Sequence, residues 1–88
     1  MDISNKQPDF VNNEGVKWYF DAHTTKYARS DSLKGSGKGI GTIRCYMVVF
    51  PSGESTRVVL DNNTPIYEST SLDAIGCFLD MLKLSAKH

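Results

Sequence analysis

Apolar and polar residues alternate from Val16 to His23. Val16, Trp18, Phe20 and Ala22 share one side, and Lys17, Tyr19, Asp21 and His23 share the other. A period of two belongs to a half-buried strand, and aromatic and β-branched residues suit it. The pattern predicts a strand that turns Trp18 toward the core, with Thr24–Arg29 available to continue it and residues 30–36 as a loop. The strongest strand signal runs from Thr42 to Phe50. Ile43, Cys45, Met47 and Val49 share one face, and the other is also largely apolar from Tyr46 onward, which predicts a central position. Pro51-Ser52-Gly53-Glu54 has the chemistry of a tight turn. Ser55–Leu60 alternates again, and Asp61-Asn62-Asn63-Thr64-Pro65 makes a second turn. Pro65–Glu68 then predicts a short strand whose leading proline favours an edge or a strand start.

After Glu68 the period changes. Thr70 or Ser71 can cap a helix, Asp73 suits its positive start, and Lys83 and Lys87 suit its negative end. The helix is predicted from Ser71 to about Leu84. The fold class that follows is α+β: two layers, an antiparallel sheet of three to four strands followed by one C-terminal helix packed on one face. Residues 1–15 are polar apart from Phe10 and Val11 and hold the turn-forming cluster Asn12-Asn13-Glu14-Gly15. They read as a flexible or extended N-terminal arm with a short extended piece at Asp9–Val11, ahead of a single α+β domain over residues 16–88.

The helix is more apolar than one sheet requires. At about 100° per residue, Leu72, Ile75, Phe78, Leu79 and Leu82 form the stripe suited to the sheet. Asp73, Gly76, Asp80, Lys83 and Lys87 form a polar stripe. Ala74, Cys77, Met81 and Leu84 form a third stripe, apolar and soft. Burying one leucine or methionine is worth roughly 1.5–3 kcal/mol, so this stripe invites a cover. The arm, through Phe10 and Val11, is one cover. A second copy packed about a two-fold axis is the other, and it is the expectation adopted: a homodimer associating through Ala74, Cys77, Met81 and Leu84.

The chain has 88 residues and no net charge, but the charge is uneven: residues 15–57 carry seven bases and three acids. Two cysteines are too few for a disulfide scaffold. MDISNKQPDF lacks the basic start and apolar core of a signal peptide. The longest apolar run, Tyr46 to Pro51, is far short of a membrane span. A cytoplasmic protein without membrane contact is the resulting expectation.

Candidate chemistry adds little. In GSGKGIGT (Gly35–Thr42), Gly37-Lys38 supplies the G-K of a nucleotide-binding loop, but Ser32 stands where the first glycine belongs and Gly39 where Ser or Thr belongs. A strand follows, so no helix N-terminus is available for a phosphate. The dinucleotide spacing also fails, at Ile40 or at Thr42. His23, Cys45 and Cys77 show no ligand spacing, so no metal and no cofactor are expected. Asp21 and His23 lie side by side on a strand, which is too little for a catalytic triad. Lys26, Tyr27, Arg29, Lys34, Lys38 and Arg44 are the residues an anion or nucleic acid would meet, since bases with an aromatic and glycines suit a phosphate backbone. The run YESTSLDAIGCFLDML (Tyr67–Leu82) resembles the strand-to-helix junction of three-strand-then-helix nucleic-acid modules such as the double-stranded-RNA-binding domain. The resemblance is in architecture alone, over about Trp18 to Leu82. Ser71, Leu72 and Asp73 stand where that domain carries lysines, and no helix precedes the first strand.

The function expected is therefore a small non-enzymatic protein-interaction module, self-associating through its last helix. Lys17, Tyr19, Arg44, Tyr46 and Arg57, on an exposed sheet face, would meet another protein. Nucleic-acid binding through the basic segment 26–44 is the alternative, and a small hydrolase-like enzyme ranks last.

Overall fold

The computed structural model of the protein describes residues 7–29 and 42–86. Its elements are β1 (Phe10–Val11), β2 (Lys17–Phe20), α1 (Ala22–Arg29), β3 (Ile43–Val49), β4 (Ser55–Asp61), β5 (Thr64–Ser69) and α2 (Leu72–Ala86). The five strands form one antiparallel sheet in sequence order. Both the α+β class and the antiparallel sheet match the sequence expectation. The sheet has one strand more than expected, and α1 is a second helix.

Turn chemistry sets the meander. Asn12 Oδ1 accepts the amides of Glu14 and Val16 at 2.9 and 3.0 Å, and Gly15 takes φ of 80° to close the turn between β1 and β2. The extended piece inside the N-terminal segment is thus an edge strand, with Phe10 opposite Trp18. Asn62 and Asn63 both adopt positive φ, 53° and 70°, as a two-residue hairpin between β4 and β5 requires.

Thr24–Arg29 does not extend the strand; the chain turns into α1. Asp21 is the cause. Its Oδ1 accepts the Thr24 amide at 3.0 Å and its Oδ2 accepts the Thr24 hydroxyl at 2.6 Å, an N-cap that outweighs the β-preference of two adjacent threonines. β3 begins three residues beyond the point where β2 ends, because Phe20 pairs with Tyr46 while β3 starts at Ile43. Its orphaned edge is completed by residues spaced at i, i+4 and i+8. The Asp21 amide donates to the Cys45 carbonyl at 2.9 Å, the Cys45 amide to Thr25 Oγ1 at 2.9 Å, and Arg29 Nε to the Ile43 carbonyl at 2.9 Å.

Both helices cover one face. Ala28 from α1 and Ile75 and Leu79 from α2 are buried against Ile43, Cys45 and Val59. Phe78 stacks on Tyr67 with centroids 4.4 Å apart. Burying Ile75 and Leu79 contributes roughly 1.5–3 kcal/mol each. Leu72, expected on the sheet-facing stripe, is 53% exposed. Lys83, expected on the solvated stripe, is buried, with Nζ 3.5 Å from the centre of the Tyr27 ring. The burial of Lys83 arises from α1, which packs against the flank of α2 that carries Asp80 and Lys83, where Tyr27 also donates to Asp80.

Candidate functional site

Two surfaces come into question: a cleft on the helix side and the opposite face of the sheet. The cleft, a cavity of about 220 Å³, is lined by Tyr19, Asp21, His23, Thr24, Met47, Arg57 and Leu72. Arg57 Nη1 pairs with Asp21 Oδ2 at 3.1 Å. Burial alone would push the Asp21 carboxyl up; the hydroxyl and amide of Thr24, with the charges of Arg57 and His23, outweigh it and hold the group below its ordinary value. A carboxylate held in that way is a weaker base than a free one. The Thr24 hydroxyl donates to it, and both Asp21 oxygens are engaged in capping α1. Cys45 lies outside the cleft, and burial pushes its thiol up to about 11, away from thiolate chemistry. Among the described residues no three His, Cys, Asp or Glu side chains are grouped as metal ligands would be.

Among the described residues the opposite face carries no helix. Alternation from the strand register places Phe10, Trp18, Phe20, Arg44, Tyr46, Val48, Thr56, Val58, Leu60 and Glu68 there. Val16, Val48 and Val58 are buried beneath Trp18, Tyr46 and Leu60, which are themselves only half-covered. The rings meet edge to face, Trp18 to Tyr46 at 5.7 Å and Phe20 to Tyr46 at 5.5 Å. A shallow hollow of about 220 Å³ lies between Phe10, Trp18, Tyr46, Leu60 and Asn63. The Trp18 indole N–H is shielded from water and has no acceptor among the described residues. An orphaned donor of this kind costs on the order of 1–3 kcal/mol. Phe10, at 57% exposure, and Ile66, at 38%, extend the apolar surface to the two sheet edges.

The residues expected to meet a partner are divided by this geometry. Tyr19 is buried under the helices, and Lys17 and Arg57 alternate with it on that side; Arg44 and Tyr46 are on the open face. The error has a physical source. Trp18 and Phe20 are as apolar as Tyr19 is amphipathic, so alternation identified the two faces of β2 but assigned the covered one wrongly.

The self-association stripe is turned outward. Cys77, Met81 and Leu84 are exposed, the last two at 54% and 63%, and Ala74 is half-buried. Phe10 and Val11, the apolar residues of the arm, are not their cover, since they pair with β2 whereas α2 packs over β5 and β4 toward the other edge of the sheet.

The basic set is dispersed. Lys26 is exposed on α1, Tyr27 is occupied with Lys83 and Asp80, Arg29 holds the Ile43 carbonyl, and Arg44 projects from the opposite face. Lys34, Lys38 and the glycines 35–41 lie outside the described residues. No helix of the described chain is long and apolar enough to cross a membrane. Compared with protein-family models, with curated proteins and with solved structures, the chain matches none of them.

Proposed function

We propose that this chain is a non-enzymatic protein-interaction module and that its working surface is the open face of the sheet. One observation carries the reading: two helices cover one side of a five-stranded sheet, and an aromatic cluster around Trp18, Phe20 and Tyr46 stands on the other with no layer above it among the described residues. Exposed contiguous apolar surface rimmed by polar residues is the mark of an interaction site, and aromatic residues supply most of the energy of such sites. The balance of charge favours a protein over a nucleic acid, because among the described residues the face carries one cation, Arg44, and one anion, Glu68. A phosphate backbone requires an excess of cations. The outward stripe on α2 is a second, narrower apolar surface.

Site-specific photo-crosslinking in the native host tests the reading. A photoreactive residue at Phe20 or Tyr46 is expected to trap protein, and the same residue at Met81 or Lys26 is not. Adducts from Met81 alone would transfer the function to the helix, and no adducts from the open face would overturn the reading.

A further inference from the structure

We infer that the occupant of the open face is a second copy of this chain, packed about a two-fold axis that runs parallel to the diagonal Trp18–Tyr46–Leu60, about 2 Å from it on the Glu68 side. The inference rests on the open face being the working surface and adds the identity of the partner.

The argument starts from register. Trp18 pairs with Val48, Tyr46 with Phe20 and Val58, and Arg44 with Leu60; Glu68 stands opposite Val58. With strands about 4.8 Å apart and residues about 3.4 Å apart along each, Trp18, Tyr46 and Leu60 fall close to one straight diagonal. By the same spacings Arg44 lies about 4 Å to one side of that line and Glu68 about 8 Å to the other, so both stand about 6 Å from a parallel line displaced by about 2 Å toward Glu68. They are about 12 Å from each other on this lattice, too far to pair within one chain. Both are exposed, and neither has an ion-pair partner among the described residues.

Two opposite charges equidistant from a line that follows the apolar diagonal to within about 2 Å are self-complementary. A half-turn about the line lays the face on its own copy and exchanges its two sides. Arg44 then meets Glu68 of the second copy, and Glu68 meets Arg44, as an isologous interface demands. The same half-turn brings Phe10 onto the position of Phe50, the next residue in the β3 alternation. Both are exposed in the single chain, at 57% and 37%. The strands of the two sheets would cross at roughly 70°, in the orthogonal class of sheet packing, in which contact runs along a diagonal.

Size agrees. Five strands of 2, 4, 7, 7 and 6 residues cover roughly 420 Å², so two such faces would bury at most about 850 Å², the size of a weak, reversible interface. The α2 stripe, one helix wide and about 22 Å long, offers about half of that.

Sedimentation equilibrium on the purified chain tests the proposal. Wild type is expected to dimerise in the micromolar range. Arg44→Glu and Glu68→Arg each set like charges face to face and should weaken association by at least about tenfold. The double variant Arg44→Glu/Glu68→Arg reverses both partners and should restore it. Met81→Lys should leave it unchanged. Circular dichroism of each variant shows whether a loss of dimer is a loss of fold, and rescue by the double variant settles the same point. A wild type that stays monomeric at 100 μM (about a hundredfold above a micromolar Kd), or a double variant that is not rescued, overturns the second copy. Photo-crosslinks from Tyr46 to a different protein would leave the open-face reading standing while removing this one; a dimer broken by Met81→Lys alone would remove both.

Discussion

The hydroxyl of Thr25 accepts the amide of Cys45 at 2.9 Å, deep in the structure, so a helix provides β3 with the partner that β2 no longer supplies. A buried amide without an acceptor costs about 1–3 kcal/mol. Thr25→Val is expected to destabilise by about that amount in urea unfolding, and hydrogen exchange at the Cys45 amide should accelerate. Thr25→Ser, which keeps the oxygen, should retain most of the stability. Unchanged exchange at Cys45 in the valine variant would refute the role given to α1.

The contact between α1 and α2 rests on Tyr27 beneath Lys83, with the Tyr27 hydroxyl on Asp80. Cation–π contacts contribute about 0.5–2 kcal/mol, more as water is excluded, and Lys83 is buried. Tyr27→Phe removes the hydrogen bond and keeps the ring, so its cost should be below about 1.5 kcal/mol. Tyr27→Leu should cost more. A double-mutant cycle of Tyr27→Leu with Lys83→Met is expected to show a coupling of at least about 0.5 kcal/mol; additivity would show that the ring and the ammonium are merely adjacent.

Acid should expose the contribution of Asp21. Its carboxyl is held below the ordinary value in the folded chain, so the folded state favours the ionised form. That stability is fully present above the unfolded value, about pH 4, and is lost as pH falls through the lower, folded value. Asp21→Asn keeps a side-chain oxygen able to cap α1 but removes the charge that meets Arg57. The stability gap between wild type and Asp21→Asn should be constant from pH 5 to 7 (above the unfolded value) and should narrow below about pH 4. A gap that widened on acidification would reverse the sign of the argument.

Thiol labelling separates the two cysteines. Cys77 is exposed, whereas Cys45 is buried, with burial holding its thiol up to about 11. At pH 8, near the ordinary thiol value, a disulfide reagent should modify Cys77 quickly and Cys45 only on unfolding. The Cys77 rate should also be independent of protein concentration, because a copy seated on the open sheet face leaves α2 uncovered. Slowing of Cys77 on concentration would place the contact on the helix stripe.

Local chemistry was legible along most of the chain. The alternation of Thr42–Phe50 and Ser55–Leu60, the paired asparagines at the hairpin, and Ser71, whose Oγ accepts the Ala74 amide at 3.2 Å, identified β3, β4, β5 and α2 almost to their ends. These signals act within a few residues of one another, so the sequence carries them in full. α1 was not legible in that way. Thr24 and Thr25 suit a strand, and their use in a helix depends on β3 outrunning β2, a comparison between segments 20 residues apart.

The choice of working face belongs to tertiary structure for a related reason. Period-two alternation divides β2 and β3 into two sides but is silent on which side receives a layer when both are apolar. Where α1 and α2 attach decides it: they cover Cys45 and Tyr19 and leave Trp18, Phe20 and Tyr46 open. The sequence by itself determined the elements, their turns and the antiparallel α+β class, because those follow from neighbours along the chain. Only packing between distant segments determined that Lys83 would be buried, that Leu72 would be exposed, and that Trp18 and Phe20, expected on the core side, would lie half-covered on the open face.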